Sequence, residues 1–171
     1  MAQNNTEEWL LPSRGFVDCF GCAPHNTKGL KLRIWYTKEG CTSYYTIPEE
    51  YCGFKGLAHG GIIATLLDEV AAWTIITHLQ RFGITLQDDV RYLKPVPTGV
   101  EIDIKAKILK SDEENVVSLA KIQSKKGIIL AEAESRWLLP SSNLLQKITG
   151  ISVDEIEQLI EKAISPLQQI I

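Results

Sequence analysis

Residues 59–77, HGGIIATLLDEVAAWTIIT, are apolar around almost the whole circumference of a helix, and the run carries only two charges, Asp68 and Glu69. A helix without a polar face is buried on most sides. Elsewhere the pattern alternates. Residues 29–37 read as a strand, Lys38-Glu39-Gly40 as a turn, and residues 41–47 as the partner strand of a hairpin that Pro48 stops. A loop over 48–58, with Gly53 and Gly56, leads into the apolar helix, predicted over 59–82 and ended by Phe82-Gly83. Four strand-like runs follow, at 84–95, 100–109, 116–123 and 128–138, separated by tight turns and closed by Pro140. Ser152-Val153-Asp154-Glu155 is a capping-box pattern that opens a second helix through about Ala163, amphipathic with Ile156, Leu159, Ile160 and Ile164 on one side. The order predicts an α+β domain in which an antiparallel sheet wraps one long central helix, which explains a helix with almost no polar side. An irregular arm is expected over 1–28, the main domain over 29–139 and a helical extension over 140–171.

Composition narrows the classes. A chain of 171 residues makes one domain with a real core, and 44% hydrophobic with 23% charged residues is ordinary for a globular protein. A net charge of −3 excludes a nucleic-acid binder that works by bulk electrostatics, because no basic excess neutralises phosphates. The apolar run at 60–76 falls short of the roughly 20 residues that span a bilayer, and two carboxylates interrupt it. It is expected to be a core helix and not a membrane span. The first residues show no basic n-region and no apolar h-region, so no signal peptide is expected. Cys19, Cys22, Cys41 and Cys52 then read as reduced thiols in the cytoplasm.

The candidate chemistry gathers on the helix. A carboxylate buried without a partner is costly, so it is paired, protonated or put to use. Asp68 is the first candidate, and Glu69, about 100° further around the helix, is the alternative base or a rim residue. Gly60 and Gly61 open the helix, where N–H groups lack intrahelical partners and the dipole favours an anion or a polarised carbonyl. Gly61, Ala64, Thr65, Asp68 and Ala72 form one stripe of small residues, which leaves room for a substrate channel or a second subunit. His59 reads as a helix cap or as a catalytic group. The Cys19-x2-Cys22 pair with His25 nearby lacks a second pair at regular spacing, so no metal is expected there.

HGGIIATLLDE at 59–69, followed by ITLQDDVRYLKPVPTG at 84–99, resembles the hotdog-fold acyl-CoA thioesterases, in particular those typified by phenylacetate-pathway and 4-hydroxybenzoyl-CoA thioesterases. CFGCAPHNTKGLKL at 19–32 is similar to a segment found in many members. The resemblance covers about residues 17–139. It implies a hotdog fold and hydrolysis of an acyl-CoA thioester, with no cofactor beyond the coenzyme A of the substrate. By position it implies oxyanion-binding backbone at Gly60 and Gly61, a catalytic carboxylate at Asp68, a water-orienting hydroxyl at Thr85 and the family histidine at His59. Glu69, Arg91 and Lys94 are candidate substrate contacts, the last two toward coenzyme A phosphates. Some relatives carry Asn or Gln six residues before the histidine, where this chain has Gly53. Asp68 lies about 10 Å beyond Gly61 along one helix at ~1.5 Å per residue, so the resemblance implies a homodimer or homotetramer in which Asp68 of one subunit meets the glycines of another. Two further readings stay open: an acyl-CoA-binding sensor without turnover, and a hotdog dehydratase with His59 as base.

Overall fold

The computed structural model describes residues 9–11, 18–165 and 167. The remainder of the arm expected over 1–28, and of the extension over 140–171, lies outside the described residues.

The central helix α1 runs Gly60–Leu79. It ends a turn earlier than its hydrophobicity suggests, because Gln80 takes a left-handed conformation (φ 53°) and returns its N–H to the Ile76 carbonyl. A seven-stranded antiparallel sheet covers it. The strands are β1 (Trp9–Leu10), β2 (Trp35–Thr37), β3 (Gly40–Thr46), β6 (Ile84–Tyr92), β7 (Glu101–Ser111), β8 (Asn115–Ser124) and β9 (Ile129–Leu138), in the order β1-β2-β3-β7-β8-β9-β6. A separate two-stranded hairpin, β4 (Cys52–Phe54) with β5 (Leu57–Ala58), precedes α1. The α+β wrap expected from the pattern is the architecture found, a hotdog.

Leu66, Leu67, Val70, Ala71 and Ile75 of α1 are fully buried. They meet the inward row of the sheet, Ile102 and Ile104 of β7 and Ala120 and Ile122 of β8. Inward and outward residues alternate along most of β7 to β9, as a half-solvated antiparallel sheet requires. α1 reaches the length and hydropathy of a membrane-crossing helix, but the sheet surrounds it and it serves as the core.

Two local differences from the sequence pattern have physical causes. Leu30, Leu32 and Ile34 are buried, as alternation demands, yet the chain over 29–34 is not a strand of the sheet. Its backbone bonds the arm instead: Leu30 N–H donates to the Phe20 carbonyl (2.8 Å), Leu32 N–H to that of Gly21 (2.9 Å), and Leu11 N–H to that of Ile34 (2.8 Å). Lys31, at φ 54°, breaks the extended run. The expected loop at 48–58 contains a 3-10 turn at Glu49–Tyr51 and the β4–β5 hairpin, turned at Gly56 (φ 79°).

The C-terminal part holds two helices, α2 (Ser142–Thr149) and α3 (Val153–Ile164). The capping box opens α3 as read: Ser152 Oγ accepts the Glu155 N–H at 3.3 Å. Ala163 and Ile164 of α3 join the same core as α1.

Candidate active site

The start of α1 is built by His59. Its extended backbone makes it the N-cap, and its Nδ1 accepts the Gly61 N–H at 3.0 Å. Its carbonyl accepts from Ile62 (3.0 Å) and Ile63 (3.1 Å), the first intrahelical bonds. Gly61 N–H is therefore engaged within the chain, whereas Gly60 N–H donates to no group among the described residues. Since Nδ1 is an acceptor, the neutral imidazole carries its proton on Nε2. Tyr92 Oη donates to the Gly60 carbonyl at 3.1 Å and anchors the helix start to the end of β6. Gly53 sits over the cap: a Cβ built there meets His59 Cα at 3.4 Å and Cδ2 at 3.6 Å.

Asp68 lies two turns along α1, on the less buried stripe that also holds Gly61, Ala64, Thr65 and Ala72. Thr85 Oγ1 donates to Asp68 Oδ1 at 2.9 Å. The first residues of β6 reach the carboxylate through an irregular register. Thr85 pairs with Trp137 but Gln87 pairs with Arg136, so Leu86 is an extra residue, a bulge beside the site. Bulges bend a strand and re-aim its side chains, and they recur next to active sites. Burial pushes the Asp68 carboxyl above the usual carboxylate range, the neighbouring Asp88 adds to the rise, and the Thr85 hydrogen bond opposes both.

The remaining candidates fall elsewhere. Glu69 turns from the stripe toward the arm, where Cys19 Sγ lies 3.5 Å from both its oxygens and Trp73 Nε1 donates to Oε1 at 3.1 Å. Burial, helped by the adjacent Cys19, pushes Glu69 up to about 7. Cys19 itself is drawn down to about 5, chiefly by its hydrogen bond with Cys22. Arg91 pairs with Glu132 across β6 and β9 at 2.8 Å. Lys94 is exposed just beyond β6. The structure thus brings His59, Gly60 and Gly61 into one cluster and Asp68 with Thr85 into another. Tyr92 is the site neighbour that sequence reasoning missed. Its only signal was its place in the Arg91-Tyr92-Leu93-Lys94-Pro95 run, which does not announce a contact with the helix start 32 residues earlier.

Residues 55–129 match the family model described as "Thioesterase superfamily". Human acyl-coenzyme A thioesterase 13 is 31% identical over 65 residues, which cover 37% of this chain and 46% of that protein. This chain spans less than half the length of the curated relatives it matches. Among solved structures, zebra fish thioesterase superfamily member 2 is similar with a TM-score of 0.63 at 20% identity, over 74% of this chain and 92% of that one. A hypothetical thioesterase protein from Streptococcus pneumoniae, determined with coenzyme A, is similar with a TM-score of 0.59 at 22% identity, over 64% and 86% of the two chains. At such identities the structural likenesses speak for the fold.

Proposed function

The chain belongs to the thioesterase superfamily, and we propose that it hydrolyses an acyl-CoA thioester to a carboxylate and free coenzyme A. The observation that carries this reading is the hydrogen bond from Thr85 Oγ1 to Asp68 Oδ1, on the open stripe of an otherwise buried helix. A hydroxyl that occupies one carboxylate oxygen fixes the side chain and leaves the other oxygen to face a water molecule.

The reaction needs two devices. One is a donor for the thioester oxygen, whose negative charge grows as the carbonyl is attacked; such donors are commonly a large catalytic term. Gly60 N–H fits this role, since it is a helix-start donor with no partner among the described residues. Gly61 N–H acts indirectly, by fixing His59 as the cap. The other device is a base. Asp68, ionised, takes a proton from water as the oxygen bonds to the carbonyl carbon. The carbon–sulfur bond then breaks, and the departing thiolate takes up that proton. Direct attack by Asp68, with water cleaving the resulting anhydride, uses the same residues.

Gly60 and Asp68 are eight residues apart, about 12 Å along one helix, so a single chain does not present both to one carbonyl. A homodimer resolves this when two copies of α1 run antiparallel and set the start of one helix against the middle of the other. Support comes from β6, an edge strand of the sheet that exposes Leu86, Tyr92 and the adjoining Leu93. An uncovered apolar edge is what a partner strand buries. Exposed Arg91 and Lys94, on the same segment, suit the phosphates of coenzyme A.

A second reading has one observation in its favour. Gly53 stands against the helix cap, where some relatives carry an amide that helps to hold the water or the thioester, and an acyl-CoA sensor that binds without turnover is the alternative. Thiol release from short, long and aromatic acyl-CoAs separates the two. The hydrolase releases thiol and loses that activity in Asp68→Asn, whereas the sensor binds stoichiometrically and releases none.

A further inference from the structure

The arm places two thiols against Glu69, about 100° around α1 from Asp68. Cys19 Sγ, Cys22 Sγ and a Glu69 carboxylate oxygen lie within 4.8 Å of one another. We propose that these three groups bind a thiophilic divalent cation of the zinc class, with water completing a four-coordinate shell. The inference is independent of the hydrolase reading.

The distances suit such an ion. Tetrahedral zinc, with bonds of about 2.3 Å to sulfur and about 2.0–2.2 Å to oxygen, holds those two ligand atoms about 3.5–3.7 Å apart. Cys19 Sγ is 3.5 Å from each Glu69 oxygen. The surroundings suit anionic ligands as well. Cys22 N–H points at Cys19 Sγ (3.5 Å), which favours a thiolate, and Trp73 Nε1–H bonds Glu69 Oε1 (3.1 Å), the outer partner that orients a ligating carboxylate. No ion pair among the described residues involves Glu69, so no described side chain supplies a cation to this cluster.

Gly21 is what allows the approach. A Cβ there would fall 2.2 Å from Glu69 Oε2. The segment between the cysteines is held in place by Leu30 and Leu32, whose N–H groups bond the Phe20 and Gly21 carbonyls. The other two cysteines are elsewhere: Cys41 is buried against Thr77 and Cys52 is exposed on β4. The sequence hid the site because its third ligand comes from the helix, 47 residues after Cys22. Binding needs both cysteines as thiolates and Glu69 as a carboxylate, and it releases the protons these groups still hold. It pins the arm to α1 one residue from Asp68.

The test is cobalt(II) titration of the full-length, reduced, metal-stripped protein. Expected are one equivalent bound, a sulfur-to-cobalt charge-transfer band with tetrahedral visible bands, and displacement by zinc. Cys22→Ser should halve the charge-transfer band and weaken binding more than the roughly 10–100-fold that loss of an outer partner costs. Glu69→Gln should keep the thiolate band but bind at least tenfold more weakly, and Cys52→Ser should behave as wild type. Absence of a thiolate band in the wild type overturns the proposal whatever the variants do. So does wild-type affinity in both Cys22→Ser and Glu69→Gln, which would leave the cluster as thiols hydrogen-bonded to a carboxylate.

Discussion

Thr85→Val replaces one group and keeps its shape. It deletes the hydroxyl that donates to Asp68 Oδ1 at 2.9 Å and retains the β-branched side chain that suits a strand. A hydrogen bond to a charged group contributes about 1.5–3 kcal/mol. Thr85 is exposed on its strand, and water compensates part of the loss, so the lower end applies. At about 1.4 kcal/mol per factor of ten, kcat should fall roughly tenfold. The loss should appear in kcat and not in KM, because the hydroxyl holds the base and not the bound substrate. Losing the same bond should lower stability too, by up to about 1.5 kcal/mol. Steady-state thiol release, with urea unfolding alongside, measures both. Thr85→Ser keeps the donor and should restore most of the rate. Wild-type kcat in Thr85→Val, or a loss that Thr85→Ser fails to rescue, would refute the role given to this hydroxyl.

Gly53→Asn has room at the helix cap, since the added Cβ makes ordinary contacts with His59; by supplying an amide to hold the water or the thioester it should raise kcat by about tenfold or more, and an unchanged or lower rate would remove Gly53 as the place of a missing amide. Leu86→Arg puts a charge on the exposed β6 edge and should shift sedimentation toward monomer with loss of thiol release; an active monomer would contradict a shared site. Burial holds His78 below its ordinary 6.5, so the unfolded chain takes up this proton first. Stability should then fall as the pH drops below about 6.5, with a shallower fall in His78→Gln, compared as urea midpoints at pH 7.5 and 5.5.

Much of the fold was legible because its signals are local. Strand alternation at 100–109, 116–123 and 128–138 survives as β7, β8 and β9, and the polar-poor helix is the one the sheet surrounds. The run at 29–34 shows the limit of that signal. Alternation reports which side chains are buried, and there the burial is real, but the backbone partners are set by the arm, which periodicity does not encode. Asp68 and the glycines were visible as a motif on one helix. The contacts that qualify them were not: Thr85 arrives through a bulge, and His59 engages the Gly61 N–H by folding its ring back on its own helix. Glu69 beside Asp68 read as a second base. The arm that encloses it comes from residues 19–22, and no pattern in either segment points to the other.

The most direct test of the account is thiol release from a panel of acyl-CoAs by the wild type and Asp68→Asn, with unfolding curves for both. Asp68 accepts the Thr85 hydrogen bond, and the amide can accept it too, so the fold should survive. The account predicts turnover by the wild type on at least one acyl class, and a fall of about 100-fold or more in the variant, the lower range for loss of a positioned base. Comparable turnover by a folded Asp68→Asn protein, or tight acyl-CoA binding by the wild type without any thiol release, would contradict it.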